Sequence, residues 1–226
     1  MLITIPQVLT AAQVQDCREA LLRAQWESGQ KTAGYLAQHT KSNLQLPIDS
    51  ALAQQVGDFL LHILHNNPTF VAAALPAKIL SPRFNCYQGG GTYGNHIDNA
   101  IFSLPQRDAR LRSDVSSTLF LSDAQDYEGG ELIIEDTYGS QSIKLNAGDL
   151  VVYPGTSLHR VNPVTKGMRL ASFFWSQSMV RHAHQRRLLW DLDQSIQALA
   201  AKDATDPQVI RLSGVYHNLL REWAEV

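Results

Sequence analysis

The sequence predicts an α+β chain, a two-sheet jelly roll with helices in front of it and a helical hairpin behind. Three observations predict this. Apolar residues recur at helical spacing through the first third of the chain. From about Ile79 to Trp175 they fall instead into short runs of β-branched and aromatic residues, punctuated by glycine. After Met179 the helical spacing returns.

Thr10 and Gln13 form a capping box ahead of Val14, Cys17, Leu21 and Ala24, which repeat with a helical period. A second amphipathic run carries Leu52, Val56, Phe59, Leu60, Ile63 and Leu64, and Pro68 is expected to close it. Each helix has a single apolar face that needs a cover, and a sheet is the natural one. Strands are expected at 79–88, 96–98, 115–121, 131–135, 142–145, 150–153, 160–164 and 169–176, with glycine-rich or acidic turns between many of them. Many strands at short intervals argue for a jelly roll. Beyond them Leu188, Leu189, Leu192, Ile196 and Leu199 make one stripe. Asp206-Pro207 then opens another, with Val209, Leu212, Tyr216, Leu219, Leu220 and Trp223. A hairpin of this size buries too little surface alone, so it is expected to dock on the barrel, on a second subunit, or both. The chain thus divides into 1–178, with its core at 78–178, and an extension at 179–226.

The 226 residues are 44% hydrophobic and 18% charged, with a formal net charge of −2. That balance argues against nucleic acid or an anionic membrane as partner. Arg181, Arg186 and Arg187 read as a local cluster on a solvated helix face. Cys17 and Cys86 are too few for a disulfide framework, and free thiols fit a reducing compartment. The N-terminus lacks the pattern of a secretory signal, and no apolar run approaches the roughly 18 residues of a membrane span. A cytoplasmic protein is expected.

The chemistry is concentrated in His96-Ile97-Asp98, His159 and Arg169. Two histidines and a carboxylate on one face of a metal, with positions left open, form the ligand set of non-heme Fe(II) oxygenases. In an extended strand His96 and Asp98 would point to the same side. Arg169 shares a strand face with Ala171, Phe173 and Trp175. A cation among inward apolar residues needs an anion, either a ligand carboxylate held bidentately or an internal Asp or Glu. Tyr87 reads either as a second contact to that ligand or as an ordinary strand tyrosine, and Tyr93 either shapes the pocket or packs the glycine-rich turn. His62, His65, His182 and His184 read as surface residues, and His39 and His217 offer nothing further. A zinc hydrolase is a weaker reading, since no His-Glu-x-x-His is present.

Residues 87–98, Tyr-Gln-Gly-Gly-Gly-Thr-Tyr-Gly-Asn-His-Ile-Asp, resemble the Tyr-x-x-Gly-x-x-Tyr-x-x-His-x-Asp signature of the prolyl 4-hydroxylase-like branch of the Fe(II)- and 2-oxoglutarate-dependent dioxygenases. The likeness is closest to the bacterial PKHD-type hydroxylases, through Gly129-Gly130-Glu131-Leu132, the stretch from Gly148 to Pro154 and the C-terminal extension. It implies a double-stranded β-helix in which His96, Asp98 and His159 are the metal ligands. Arg169 and Tyr87 would be the cosubstrate contacts, and the activity a hydroxylation coupled to 2-oxoglutarate decarboxylation. It also implies L-ascorbate as reductant. The substrate would be a small molecule, such as a siderophore or another iron-linked compound, or else a protein side chain. Cys86 stands where prolyl hydroxylases usually carry arginine, which weakens the case for a peptidyl proline. A non-catalytic cupin-like sensor of iron or 2-oxoglutarate is the alternative. A homodimer through the C-terminal helices is expected. Specificity is expected from the charged loop at 99–114, with Arg107, Asp108, Arg110, Arg112 and Asp114.

Overall fold

A computed structural model of the chain describes residues 1–32, 40–104 and 109–226. His39, Arg107 and Asp108 lie outside them. The chain enters through β1 (Ile3–Ile5) and α1 (Ala11–Leu22), where the Thr10–Gln13 capping box is formed in both directions. Short strands β2 (Glu27–Ser28), β3 (Lys41–Ser42) and β4 (Leu44–Gln45) precede α2 (Ala51–His65). Pro68 does not merely close that helix. It is the first residue of a further helix, α3 (Pro68–Ala74), which Asn67 caps by accepting from Phe70 N–H. A proline is well placed there, because the missing N–H would have had no helical partner.

The expected strand at 79–88 is two strands, β5 (Pro76–Ile79) and β6 (Arg83–Gln88), separated around Pro82. Next come β7 (Thr92–His96), a hairpin of β8 (Ile101–Leu104) and β9 (Ala109–Arg112), and β10 (Val115–Phe120). The charged segment expected as loop therefore contains paired strands. β11 (Tyr127–Gly129), β12 (Leu132–Asp136), β13 (Gly139–Ile143), β14 (Leu150–Pro154), β15 (His159–Val161) and the long β16 (Val164–Ser178) complete the barrel.

The larger sheet runs β1-β14-β10-β16-β6-β4-β2, and the smaller β13-β12-β15-β7-β3. Both faces of the larger sheet are covered. On one, Phe84, Leu119, Leu150, Leu170 and Phe174 pack with Leu21, Leu60, Leu64 and Phe70 of the helices. On the other, Tyr87, Phe120 and Val151 meet Leu132, Ile134 and Val161 of the smaller sheet. This is the α+β jelly roll, and its two-sided burial leaves every residue of β10 buried, the polar Ser116, Ser117 and Thr118 included.

α4 (Ala183–Ala200) and α5 (Pro207–Trp223) form the C-terminal hairpin. Leu189, Tyr216, Leu219, Leu220 and Trp223 pack with Leu75 and Val180, so the hairpin docks on its own barrel. Arg186 corrects the expectation of a solvated basic face. It is buried, and its guanidinium donates to the carbonyls of Val180, Arg181 and Asp114. Cys17 and Cys86 are buried free thiols. No helix among the described residues is long and apolar enough to cross a membrane.

Candidate active site

His96 ends β7 and His159 opens β15, directly opposite each other in the smaller sheet, with ring centroids 4.2 Å apart. His96 Nδ1 lies 2.8 Å from the Gly94 carbonyl and His159 Nδ1 lies 3.0 Å from the Ser157 carbonyl. A carbonyl oxygen can only accept, so each Nδ1 carries the proton and donates it. Each Nε2 lone pair is then left for an ion. Burial first, then the neighbouring His159, push the His96 imidazole down to about 4, so it is neutral near pH 7.

Asp98 stands two residues past His96, just beyond the paired strand, and shares the cluster with it, while Ile97 between them is exposed. The Ser116 hydroxyl on β10, in the larger sheet, donates to Asp98 Oδ2 at 2.8 Å and fixes it. Oδ1 then stands 4.0 Å from His96 Nε2 and 3.9 Å from His159 Nε2. Among the described residues, these three side chains are the group whose ligand atoms lie close enough to share an ion, all within 4.8 Å of one another. Two imidazoles and one carboxyl group, with no thiol among them, suit a divalent metal of the Fe(II) type.

Arg169 on β16 lies opposite Tyr87 on β6. Its guanidinium carbon is 5.5 Å from the Tyr87 ring centre and 5.0 Å from that of Phe120. The residue is 1% exposed, and its Nε has no hydrogen-bond partner, nor has the buried Tyr127 hydroxyl. Among the described residues no Asp or Glu pairs with it, so the internal salt bridge is not formed. An unpaired buried cation costs several kcal/mol, roughly, and calls for an anion. Gly130 lets the chain close over the arginine stem. Its φ is +68°, and a Cβ there would sit 3.1 Å from Arg169 Cδ and 2.8 Å from Val164 Cγ2. Burial pushes the Tyr87 phenol up to about 12, keeping it a neutral hydrogen-bonding group. Arg160 and Lys144 are engaged elsewhere, with the Glu135 carboxylate and the Tyr127 carbonyl.

All five residues line one cavity of about 700 Å3. Tyr93 lies along its wall, stacked on His96 at 3.6 Å between ring centroids. Sequence reasoning missed Lys41, Arg83, Asn85, Phe102, Ser116 and Tyr153, which also line it. Period-two alternation back from Tyr87 would have found Asn85 and Arg83. Nothing local in the sequence marks Ser116, whose role depends on a contact between sheets. His62, His65, His182, His184 and His217 are exposed, do not line this cavity and are not part of the group.

Comparison with known proteins agrees with this geometry. A family profile described as the 2OG-Fe(II) oxygenase superfamily matches residues 82–177, and one described as the PKHD-type hydroxylase C-terminal domain matches 184–225. Fold and profile define the class, a 2OG-Fe(II) oxygenase. A PKHD-type hydroxylase of Delftia acidovorans is 56% identical over 225 residues, covering 100% of both chains. The chain belongs to the PKHD-type hydroxylases. Among solved structures, the carbocyclase SnoK from nogalamycin biosynthesis superposes with TM-score 0.57 at 16% identity, over 79% of this chain and 80% of that one. A Trichoplax adhaerens prolyl hydroxylase, solved with a hypoxia inducible factor peptide fragment, gives 0.55 at 19% identity over 83% and 86%. These two show the shared fold.

Proposed function

We propose that His96, Asp98 and His159 hold Fe(II), and that Arg169, with Tyr87 beside it, holds the distal carboxylate of 2-oxoglutarate. The observation that carries this reading is Arg169. Its guanidinium is buried, has no carboxylate partner among the described residues, and borders the same cavity as the His–Asp–His group. When bound, Fe(II), 2-oxoglutarate and O2 supply an oxidation that yields succinate, CO2 and a hydroxylated substrate. The chain's own groups orient and protect. The two Nδ1–H bonds fix the imidazole tautomers, and Ser116 holds Asp98 so that one carboxylate oxygen faces the ion. Arg169 offers a planar fork matched to a carboxylate, and the aromatic rings around it keep water out. L-ascorbate is the reductant that returns idly oxidised iron to the ferrous state.

The hydroxylated substrate is a small molecule, siderophore-related in this reading, with a protein side chain second. Cys86, where prolyl hydroxylases usually carry arginine, lies on the opposite face of β6 from the cavity-lining Asn85 and Tyr87 and packs in the helix-side core, so it does not decide between the two. Residues 1–178 serve as the catalytic unit in the cytoplasm, and 179–226 as an extension that also pairs two subunits. Leu188, Ile210 and Val215 on the hairpin remain exposed and support that pairing. The test is succinate release from 2-oxoglutarate by purified protein with Fe(II) and ascorbate. Slow release without substrate, lost in Asp98→Ala, is expected. Tight iron and 2-oxoglutarate binding with no succinate at all would favour the sensor.

A further inference from the structure

Arg83, Asn85 and Tyr87 alternate along β6 and share one face. β16 runs antiparallel beside it, with Arg169 opposite Tyr87, Ala171 opposite Asn85 and Phe173 opposite Arg83. One face of the sheet thus carries an arginine at each end of a short run, about 14 Å apart along the strands at ~3.4 Å per residue. Both line the cavity. The proposed function, on which this inference rests, gives Arg169 a task and leaves Arg83 without one.

The surroundings of Arg83 form a built site. Its guanidinium carbon lies 5.6 Å from the Phe102 ring centre and 5.3 Å from that of Trp175. Those two rings stack on each other at 4.3 Å and 30°. Among the described residues no carboxylate pairs with Arg83. Trp175 Nε1 and Asn85 Oδ1 belong to cavity-lining side chains more than nine-tenths buried, and both atoms lack hydrogen-bond partners. A guanidinium that only clamped the β8–β9 hairpin onto β16 would explain the ring contacts. It would not explain two orphaned polar atoms on buried side chains that line the cavity with it.

We propose that Arg83, Phe102 and Trp175 form the substrate-recognition end of the cavity, and that the substrate is a planar, anionic small molecule. Its ring lies along the Phe102–Trp175 wall and its anionic group meets the Arg83 fork. Arginine is suited to both contacts, since its planar fork matches an anion while its face stays on aromatic rings. The site then reads two anions. Arg169 takes the cosubstrate's carboxylate, Arg83 takes the substrate's charge, and the His–Asp–His group belongs to the same cavity.

The test uses protein saturated with 2-oxoglutarate and a redox-inert divalent metal, so that the Arg169 end is occupied. Binding of three probes is measured by calorimetry: naphthalene-2-sulfonate, a planar anion and poor metal ligand; neutral naphthalene-2-methanol; and aliphatic cyclohexanesulfonate. The planar anion should bind about 10-fold or more tighter than either control, as one charged contact of ordinary strength requires. Arg83→Gln should bring it to the level of the neutral probe, while Arg83→Lys keeps part of the charge preference. Phe102→Leu should erase the preference for a planar over an aliphatic anion. The affinity for 2-oxoglutarate, titrated separately, should be unchanged in all three variants. If Arg83→Gln does not fold, Arg83→Lys and Phe102→Leu still decide the matter. Equal binding of all three probes, or an unchanged preference in the Arg83 variants, overturns the inference. Loss of 2-oxoglutarate binding by the parent protein would instead overturn the reading beneath it.

Discussion

Arg169, on the barrel face that lines the cavity, and Arg186, at the seam between barrel and C-terminal hairpin, are both nearly lost to solvent, at 1% and 4% exposure. Arg186 spends its donors on the protein. Nη1 reaches the Val180 and Arg181 carbonyls, each at 2.8 Å, and Nη2 reaches the Asp114 carbonyl at 3.2 Å. The seam is stitched further by Glu225, whose N–H donates to the Met179 carbonyl and whose carboxylate meets Arg112. Arg169 has aromatic faces around it and an orphaned Nε. Burial of a cation therefore does not by itself mark a ligand site. What separates the two is whether the donors are already satisfied.

Removing groups from each region should produce opposite phenotypes. In the cavity, Asp98→Ala or His159→Ala should end Fe(II)-dependent turnover, and anaerobic Fe(II) titration should lose its tight site. Thermal unfolding of the metal-free proteins should barely move. A variant that binds iron as the parent does would take that residue out of the ligand set. At the seam, Arg186→Met keeps the volume and strands the Val180 and Arg181 carbonyls, while that of Asp114 keeps the Gly155 N–H. Unsatisfied buried groups cost roughly 1–3 kcal/mol each, and solvent entry relieves some of that, so a net loss of about 2–4 kcal/mol is expected. For a chain of this size the melting temperature should fall roughly 5–15 °C, with 2-oxoglutarate affinity unchanged in the folded protein. A melting temperature equal to the parent's would mean that the seam carries no stability.

The same contrast explains what the sequence could reveal. Helices α1 and α2 were legible because one apolar face repeats at helical spacing, and the Thr10 box is local. Most barrel strands were legible from β-branched runs. The β8–β9 hairpin was not, because Arg110, Arg112 and Asp114 look like loop until pairing with 101–104 is known. The second role of Pro68, as the start of α3, and the burial of Arg186 were hidden for a related reason. A proline's position at a helix start depends on the Asn67 cap, and the burial of Arg186 depends on carbonyls distant in sequence or beyond the helix start. In the candidate site, His96, Asp98, His159, Arg169 and Tyr87 could be named from spacing and motif. What the sequence could not show for Asp98 is its anchor, since a residue in the other sheet fixes the carboxylate.

Arg169→Leu sharpens the comparison from the cavity side. It removes the proposed charge-assisted contact, worth about 1.5–3 kcal/mol per bond, so 2-oxoglutarate binding should weaken roughly 10- to 150-fold. Fe(II) binding should stay near the parent value. Stability should hold or rise, because the lost cation had no carboxylate partner, and in that respect the variant should be the reverse of Arg186→Met. Pyruvate, without the distal carboxylate, should bind both proteins alike. If Arg169→Leu unfolds the chain and leaves cosubstrate affinity intact, Arg169 belongs with Arg186 as a structural group.

Ser116→Ala is expected to have the smallest effect, and it asks whether a satisfied hydrogen bond can still be functional. Ser116 is buried, and its hydroxyl donates to Asp98 Oδ2. By the rule drawn from Arg186, a spent donor should be structural. The rule changes here because the acceptor is a proposed ligand rather than a backbone carbonyl. Losing the hydroxyl frees the carboxylate to rotate away from the imidazoles and lowers the fraction of chains with Oδ1 presented to them. Partners that orient a metal ligand typically contribute about 10- to 100-fold in affinity or activity. Fe(II) affinity should therefore fall within that range, while 2-oxoglutarate contacts at Arg169 are untouched and the melting temperature of the metal-free protein shifts by a few degrees at most, about 1 kcal/mol. Ser116→Thr keeps the hydroxyl and should recover most of the loss. Equal iron affinity in the alanine and threonine variants, with both below the parent, would trace the effect to packing at β10 rather than to the hydrogen bond.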